Sequence, residues 1–141
     1  MKKTDTDLKT IILYGIIIVQ CITAVIGYVL LPEQIAVQWT TDAFVSRYGS
    51  RLFLFLAPAL SILMMSVLRP ALLMFLNKIF GHLSKSLLSN IYIGILCIIY
   101  SLELYMIVFN YGFHLPVQYV LLMDAVLLLI ISLLPVVKNR N

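Results

Sequence analysis

Leu31-Pro-Glu-Gln-Ile-Ala-Val-Gln-Trp39, continuing through Asp42 to Arg47-Tyr-Gly-Ser-Arg51, separates two long apolar runs. Its reading decides the fold, because the runs on either side read as helices embedded in lipid. Pro32 stops the preceding helix, since the residue before a proline is pushed out of the helical region. Ile35, Val37 and Trp39 recur at every second position, a short extended signature. Trp39, Phe44 and Tyr48 are the aromatic types that settle at a membrane–water boundary. Gly49-Ser50 offers a turn into the next run. The segment is expected to be a shaped loop folded over one mouth of a helical bundle.

Outward from this loop, apolar runs are long enough to cross a bilayer. A spanning helix needs about 20 apolar residues at about 1.5 Å each. Residues 10–31, 52–68, 87–109 and 117–137 meet this expectation, with a single membrane domain covering 1–141. Between the second and third runs, Leu72, Leu73, Leu76, Ile79, Phe80 and Leu83 recur at helical spacing after Pro70. Two readings are open there. One is a separate helix lying in the inner interface. The other extends the second span to Leu76 with a kink at Pro70. A second kink is expected at Pro58, which has no N–H to return to the preceding turn. The fold class expected is all-α and integral to the membrane. It is a four-helix transmembrane bundle, with an outer loop between helices 1 and 2 and an inner interfacial helix between helices 2 and 3.

Composition agrees. Of 141 residues, 62% are hydrophobic and 11% charged, against about 25% charged in soluble domains. Lys2, Lys3, Lys9, Arg69, Lys78, Lys85, Lys138 and Arg140 fall on one side of the expected spans, and Arg47 and Arg51 on the other. Cationic residues mark cytoplasmic ends, so both termini are expected in the cytoplasm of a cell with this protein in its plasma membrane. The net charge of +4 is explained by that bias and by anionic lipid, and direct nucleic-acid binding is not expected. Cys21 and Cys97 lie inside apolar runs and read as buried thiols.

Polar residues inside the spans are the candidate functional set. Glu103 lies six residues before the end of the third run, and Asp124 seven after the start of the fourth. Both sit roughly 9–10 Å below the outer interface, at matching depth on neighbouring helices, and are expected to face each other. An ionisable group in mid-bilayer costs about 2.5–3.5 kcal/mol, so both should face the bundle interior. Tyr100 and Asn110 share a helix face with Glu103 and are expected to hydrogen-bond it. Arg47 or Arg51 is an alternative partner. Gln20, Thr23 and Gly27 form a small-and-polar stripe suited to close helix packing, with Ser61 as a possible partner. His82 and His114 fall on opposite sides of the membrane, so no metal is expected. Nucleophile–base pairs, phosphate loops and dinucleotide fingerprints are missing from the sequence. A non-enzymatic protein without cofactors is expected.

Leu31, Pro32, Ile35, Gln38 and Trp39, then Arg47, Tyr48, Gly49, Ser50 and Arg51, then an apolar run with Pro58, resemble the shared segment of domain-of-unknown-function family 1648 (DUF1648). The resemblance spans about residues 27–61. The family pattern runs Leu-Pro-x-x-Ile-Pro-x-His-Phe/Trp, then Gly and Asp, then an aromatic, Gly or Ala, Ser and Lys. This chain departs at Ala36, Gln38, Ala43 and Ser46, where Pro, His, Gly and Asp are usual. Gln38 hydrogen-bonds but does not titrate. The family includes SdpI-type bacterial immunity proteins. The resemblance therefore implies a small multi-pass membrane protein that protects against a membrane-active toxin peptide and signals to a repressor at its inner face. The alternative is a small transporter or accessory subunit using Glu103 and Asp124 for ion or proton coupling. Besides the lipid bilayer, the partners implied are the toxin outside and the repressor inside.

Overall fold

A computed structural model describes residues 2–40, 42–80 and 85–138. His82 and Leu83 lie outside the described residues, as do the side chains of Lys2, Lys3, Leu76, Ile79, Phe80, Lys85 and Lys138, and Arg140 altogether.

The chain is mostly helical. α1 spans Lys2–Leu30. A 3-10 turn over Arg51–Phe55, α2 (Leu56–Leu63), a π-helical turn over Met64–Leu68 and α3 (Arg69–Phe80) follow one another without a break. α4 spans Lys85–Asn110 and α5 Val117–Lys138. Three stretches are long and apolar enough to cross a membrane, namely Leu8–Leu30, Arg51–Phe75 and Leu88–Asn110. The described apolar part of α5, Val117–Ile130, is shorter.

The outward faces are apolar and the interior holds the polar groups, the reverse of a soluble bundle. Ile11, Ile18, Ile22, Val25 and Val29 of α1 are exposed, while Gln20, Ser61, Ser89, Glu103 and Asp124 are buried. Lipid tails are as apolar as these outer side chains. Polar side chains therefore gain by facing inward, where other helices offer partners.

Two expectations are corrected. The loop between the first two helices is a two-stranded antiparallel ribbon, β1 (Gln34–Trp39) and β2 (Val45–Ser50), so the fold is not all-α. The alternation of Ile35, Val37 and Trp39 is the trace of β1, and its partner strand carries too few apolar residues to show the same signal. The second correction concerns Pro70, where no new helix begins. The Arg69 N–H bonds the Met64 carbonyl, and this wider i→i−5 turn relieves the crowding a proline ring imposes on the turn before it. The helix from Arg51 runs on to Phe80, which is the extended second-span reading. Pro58 lies in the first turn of α2, after the 3-10 segment. There its missing N–H costs little.

α1 and α4 run in the same direction, since Gln20 reaches Leu96, Thr23 reaches Tyr100, and Gly27 sits against Ile107. The first helix of the α2–α3 rod packs antiparallel to them. At the ribbon end, Ala24, Leu31, Ile35 and Leu54 form one apolar cluster. At the other end, Leu13, Ile17, Met65, Leu88, Tyr92 and Leu96 form another. Arg69 donates to Ser89 at 3.2 Å there and ties the rod to α4.

Candidate functional site

The ribbon is mounted on the ends of the helices. In the antiparallel register Ala36 faces Tyr48, Ile35 faces Gly49, and the Arg51 N–H donates to the Glu33 carbonyl at 3.0 Å. Residues in such a ladder point their backbone groups alternately toward and away from the partner strand. With residues 33 and 35 bonding toward β2, the Ala36 backbone groups point away from it. Asn110, the last residue of α4, meets them there. Its Oδ1 accepts from the Ala36 N–H at 2.7 Å, and its Nδ2 donates to the Ala36 carbonyl at 3.0 Å and to the Met106 carbonyl at 2.8 Å. One side-chain amide therefore closes the open edge of β1, as a third strand would.

Aromatic packing reinforces the mount. Trp39 meets Tyr105 and Phe109 edge-on at 5.0 and 5.2 Å between ring centroids, and Phe109 meets His114 at 4.6 Å. The Tyr105 hydroxyl donates to the Leu115 carbonyl at 2.8 Å, which fixes the turn between α4 and α5. That turn is a Schellman end. The Gly112 N–H bonds the Phe109 carbonyl, the Phe113 N–H bonds the Val108 carbonyl, and Gly112 takes φ +104°. At the tip of the ribbon, Ala43 takes φ +63°, a region a Cβ disfavours. This is the position where the resembling pattern has glycine.

Between the foot of the ribbon and α1 lies a groove of about 420 Å³, lined among others by Tyr28, Glu33, Tyr48 and Arg51. The Arg51 guanidinium lies 4.3 Å from the Tyr28 ring centroid and donates to the Leu31 carbonyl at 3.3 Å. These contacts hold the guanidinium at the groove wall. Arg47, Tyr48 and Phe44 are exposed on the ribbon, as is Gln38. Of the loop positions singled out from sequence, Leu31 and Ile35 are core, Trp39 is half-buried, and Tyr48, Gly49, Ser50 and Arg51 line the groove. Pro32 is exposed at the turn into β1.

The intramembrane set is arranged differently from the sequence expectation. Glu103 is 2% exposed, and neither carboxylate oxygen has a hydrogen-bond partner. Asn110 is taken by Ala36, and the Tyr100 hydroxyl pairs with Thr23 at 3.3 Å. Asp124 accepts a short hydrogen bond from Ser101. Ser101 and Glu103 are two residues apart on α4, about 200° around the helix. The two carboxyls thus use different faces of α4 and do not pair. Matched depth was the expectation from counting residues, and rotation about the helix axis is what counting leaves out. Gln20 is fully buried and its Nε2 donates to the Leu96 carbonyl at 3.3 Å. Among the described residues no three or more His, Cys, Asp or Glu gather into a metal-binding group.

Sequence reasoning missed Ser101 as the Asp124 partner, Tyr28 as the platform for Arg51, and Tyr105, Phe109 and His114 as the seat of Trp39. Ser101 left a faint signal as a hydroxyl in an apolar run, near the depth of Asp124. The aromatic residues left none, because aromatics are ordinary at the end of a membrane helix.

Neither a curated protein nor a solved structure matches the chain. Residues 15–62, from the middle of α1 through the ribbon to α2, match the family model described as domain of unknown function (DUF1648).

Proposed function

We propose that this chain is a non-enzymatic, multi-pass protein of the bacterial plasma membrane that protects its cell by recognising a membrane-active peptide at the ribbon. The observation that carries this reading is the mounting of the ribbon. Asn110 and the Trp39 aromatic cluster fix its inner edge, while Phe44, Tyr48 and Arg47 stay exposed beside the Glu33–Arg51 groove. A fixed surface of aromatic and charged groups suits a peptide, because little ordering entropy is left to lose on binding. The DUF1648 segment contains the whole ribbon, and the resemblance to SdpI-type immunity proteins points to the same surface.

Orientation follows in this reading from the cationic bias, with the ribbon outside and both termini in the cytoplasm. α5, at 22 residues, measures about 33 Å and serves as a fourth span. The segment from Arg69 to Lys85 is then the cytoplasmic face that would meet a repressor. The test is protection. Sensitive cells expressing the protein are challenged with supernatant from a sibling strain that secretes such peptides. Survival should rise, and Tyr48→Ala and Arg51→Ala should lower it at equal membrane abundance. Unchanged sensitivity with the unaltered protein refutes the reading.

A second reading, ion-coupled transport, is favoured by the unpartnered buried Glu103. Since Asp124 is engaged by Ser101, coupling would fall to Glu103 alone. Glu103→Gln should then abolish a transport-linked phenotype that Asp124→Asn preserves.

A further inference from the structure

The contact between α1, α2 and α4 buries more polar side chain than its hydrogen bonds account for. Gln20 and Ser61 are 0% exposed and Glu103 is 2% exposed. Gln20 Oε1, Ser61 Oγ and both Glu103 carboxylate oxygens have no hydrogen-bond partner. Gln20 has spent its amide N–H on Leu96, so what remains is an acceptor. Neither half-buried arginine compensates the carboxylate, because Arg51 is held by Leu31 and Tyr28 and Arg69 by Ser89. A lone carboxylate out of water is costly unless a cation meets it or a proton neutralises it.

Helix geometry brings these groups to one level. A Cβ on Gly27 would lie 2.9 Å from Ile107 Cδ1 and 3.0 Å from Leu54 Cδ1, so α1, α2 and α4 meet there. Glu103 is one turn from Ile107 toward the bundle centre. Gln20 and Ser61 are each two turns from that meeting point, along α1 and along the rod. Helical side chains lean toward their own N-terminus. Glu103 therefore leans toward the level of Gln20 and Ser61, and Ser61, on the antiparallel helix, leans toward Glu103, while Gln20 leans the other way, to the Leu96 carbonyl two turns below Glu103.

We propose that Gln20, Ser61 and Glu103 form a buried site for one sodium ion. The donor set is all oxygen, as hard cations require, and with Glu103 ionised it carries one negative charge. A monovalent ion neutralises it, whereas a divalent ion would leave net charge buried in a low-dielectric interior. Oxygens arranged around an ion are held further apart than hydrogen-bond distance, which fits the lack of hydrogen bonds at Gln20 Oε1, Ser61 Oγ and the Glu103 carboxylate. The site is independent of the peptide-recognition reading, since it lies in the helix interior and shares no residue with the groove.

The test is thermal unfolding of the purified full chain in nanodiscs, followed by Trp39 fluorescence in sodium, potassium or choline chloride at fixed ionic strength. Sodium should raise the midpoint saturably by about 5 °C, and choline should not. Glu103→Gln should abolish the rise, and Ser61→Ala should move the half-saturating sodium concentration up about tenfold. Equal midpoints in the three salts overturn the proposal, as does a sodium response that survives Glu103→Gln. A midpoint that rises with acidity equally in all three salts assigns the site to a proton and overturns the sodium assignment. If Glu103→Gln does not fold, an unchanged half-saturation in Ser61→Ala overturns it.

Discussion

Replacing Asn110 by alanine should loosen the ribbon while leaving the helices in place. Asn110 satisfies both backbone groups of Ala36, which is 2% exposed. Removing the amide strands one buried N–H and one buried C=O. An unsatisfied buried group costs about 1–3 kcal/mol, so the pair is worth roughly 2–4 kcal/mol when some water reaches the bundle end. That cost falls on local opening of β1 and not on the bundle, because the helices keep their own ladders. At tenfold per 1.4 kcal/mol, amide exchange at residues 35–39 should accelerate roughly 30- to 1,000-fold. Exchange in the middle of α1 and α4 should change little. Asn110→Asp should behave almost as badly, since a carboxylate accepts from the Ala36 N–H but donates to neither carbonyl. Hydrogen exchange with mass spectrometry on protein in nanodiscs reads this directly. Acceleration below about threefold in Asn110→Ala would mean that cross-strand bonds and aromatic packing hold the ribbon alone, and the edge-closing role would be refuted.

Three further outcomes are expected. Gly27→Leu places a side chain where Ile107 and Leu54 already stand within about 3 Å, and should destabilise the bundle by about 1–3 kcal/mol in detergent unfolding; unchanged stability would contradict the close approach. Ala43→Gly relieves the left-handed turn at φ +63° and should stabilise by about 0.5–1 kcal/mol after the entropy glycine costs in the unfolded chain; a lowered midpoint would refute that. Ser101→Ala strips the donor from the buried Asp124 and should cost about 1–3 kcal/mol, more than Asp124→Asn, whose side-chain oxygen still accepts; the reverse order would show that Ser101 is not the partner that matters.

The sequence by itself determined that this is a helical membrane protein. Hydropathy and length are additive along the chain, and of the four spans expected from them three fall on stretches long and apolar enough to cross a membrane. It also determined where the helical pattern stops, because Pro32 and the period-two run Ile35, Val37 and Trp39 act locally. The DUF1648 segment was legible for the same reason, since its residues lie close together in the chain. The tertiary structure decided the rest. That β1 finds a partner in β2 depends on Tyr48 and Gly49 folding back, which periodicity in a half-exposed strand does not announce. That the rod runs through Pro70 depends on a π turn reaching from Arg69 to Met64. The polar interior was decided by rotation about helix axes. Counting residues put Glu103 and Asp124 at a matching depth, but Asp124 of α5 meets Ser101, on a different face of α4 from Glu103. The same rotation leaves the Glu103 carboxylate buried without a hydrogen-bond partner, an outcome fixed only once helices separated in sequence are brought side by side.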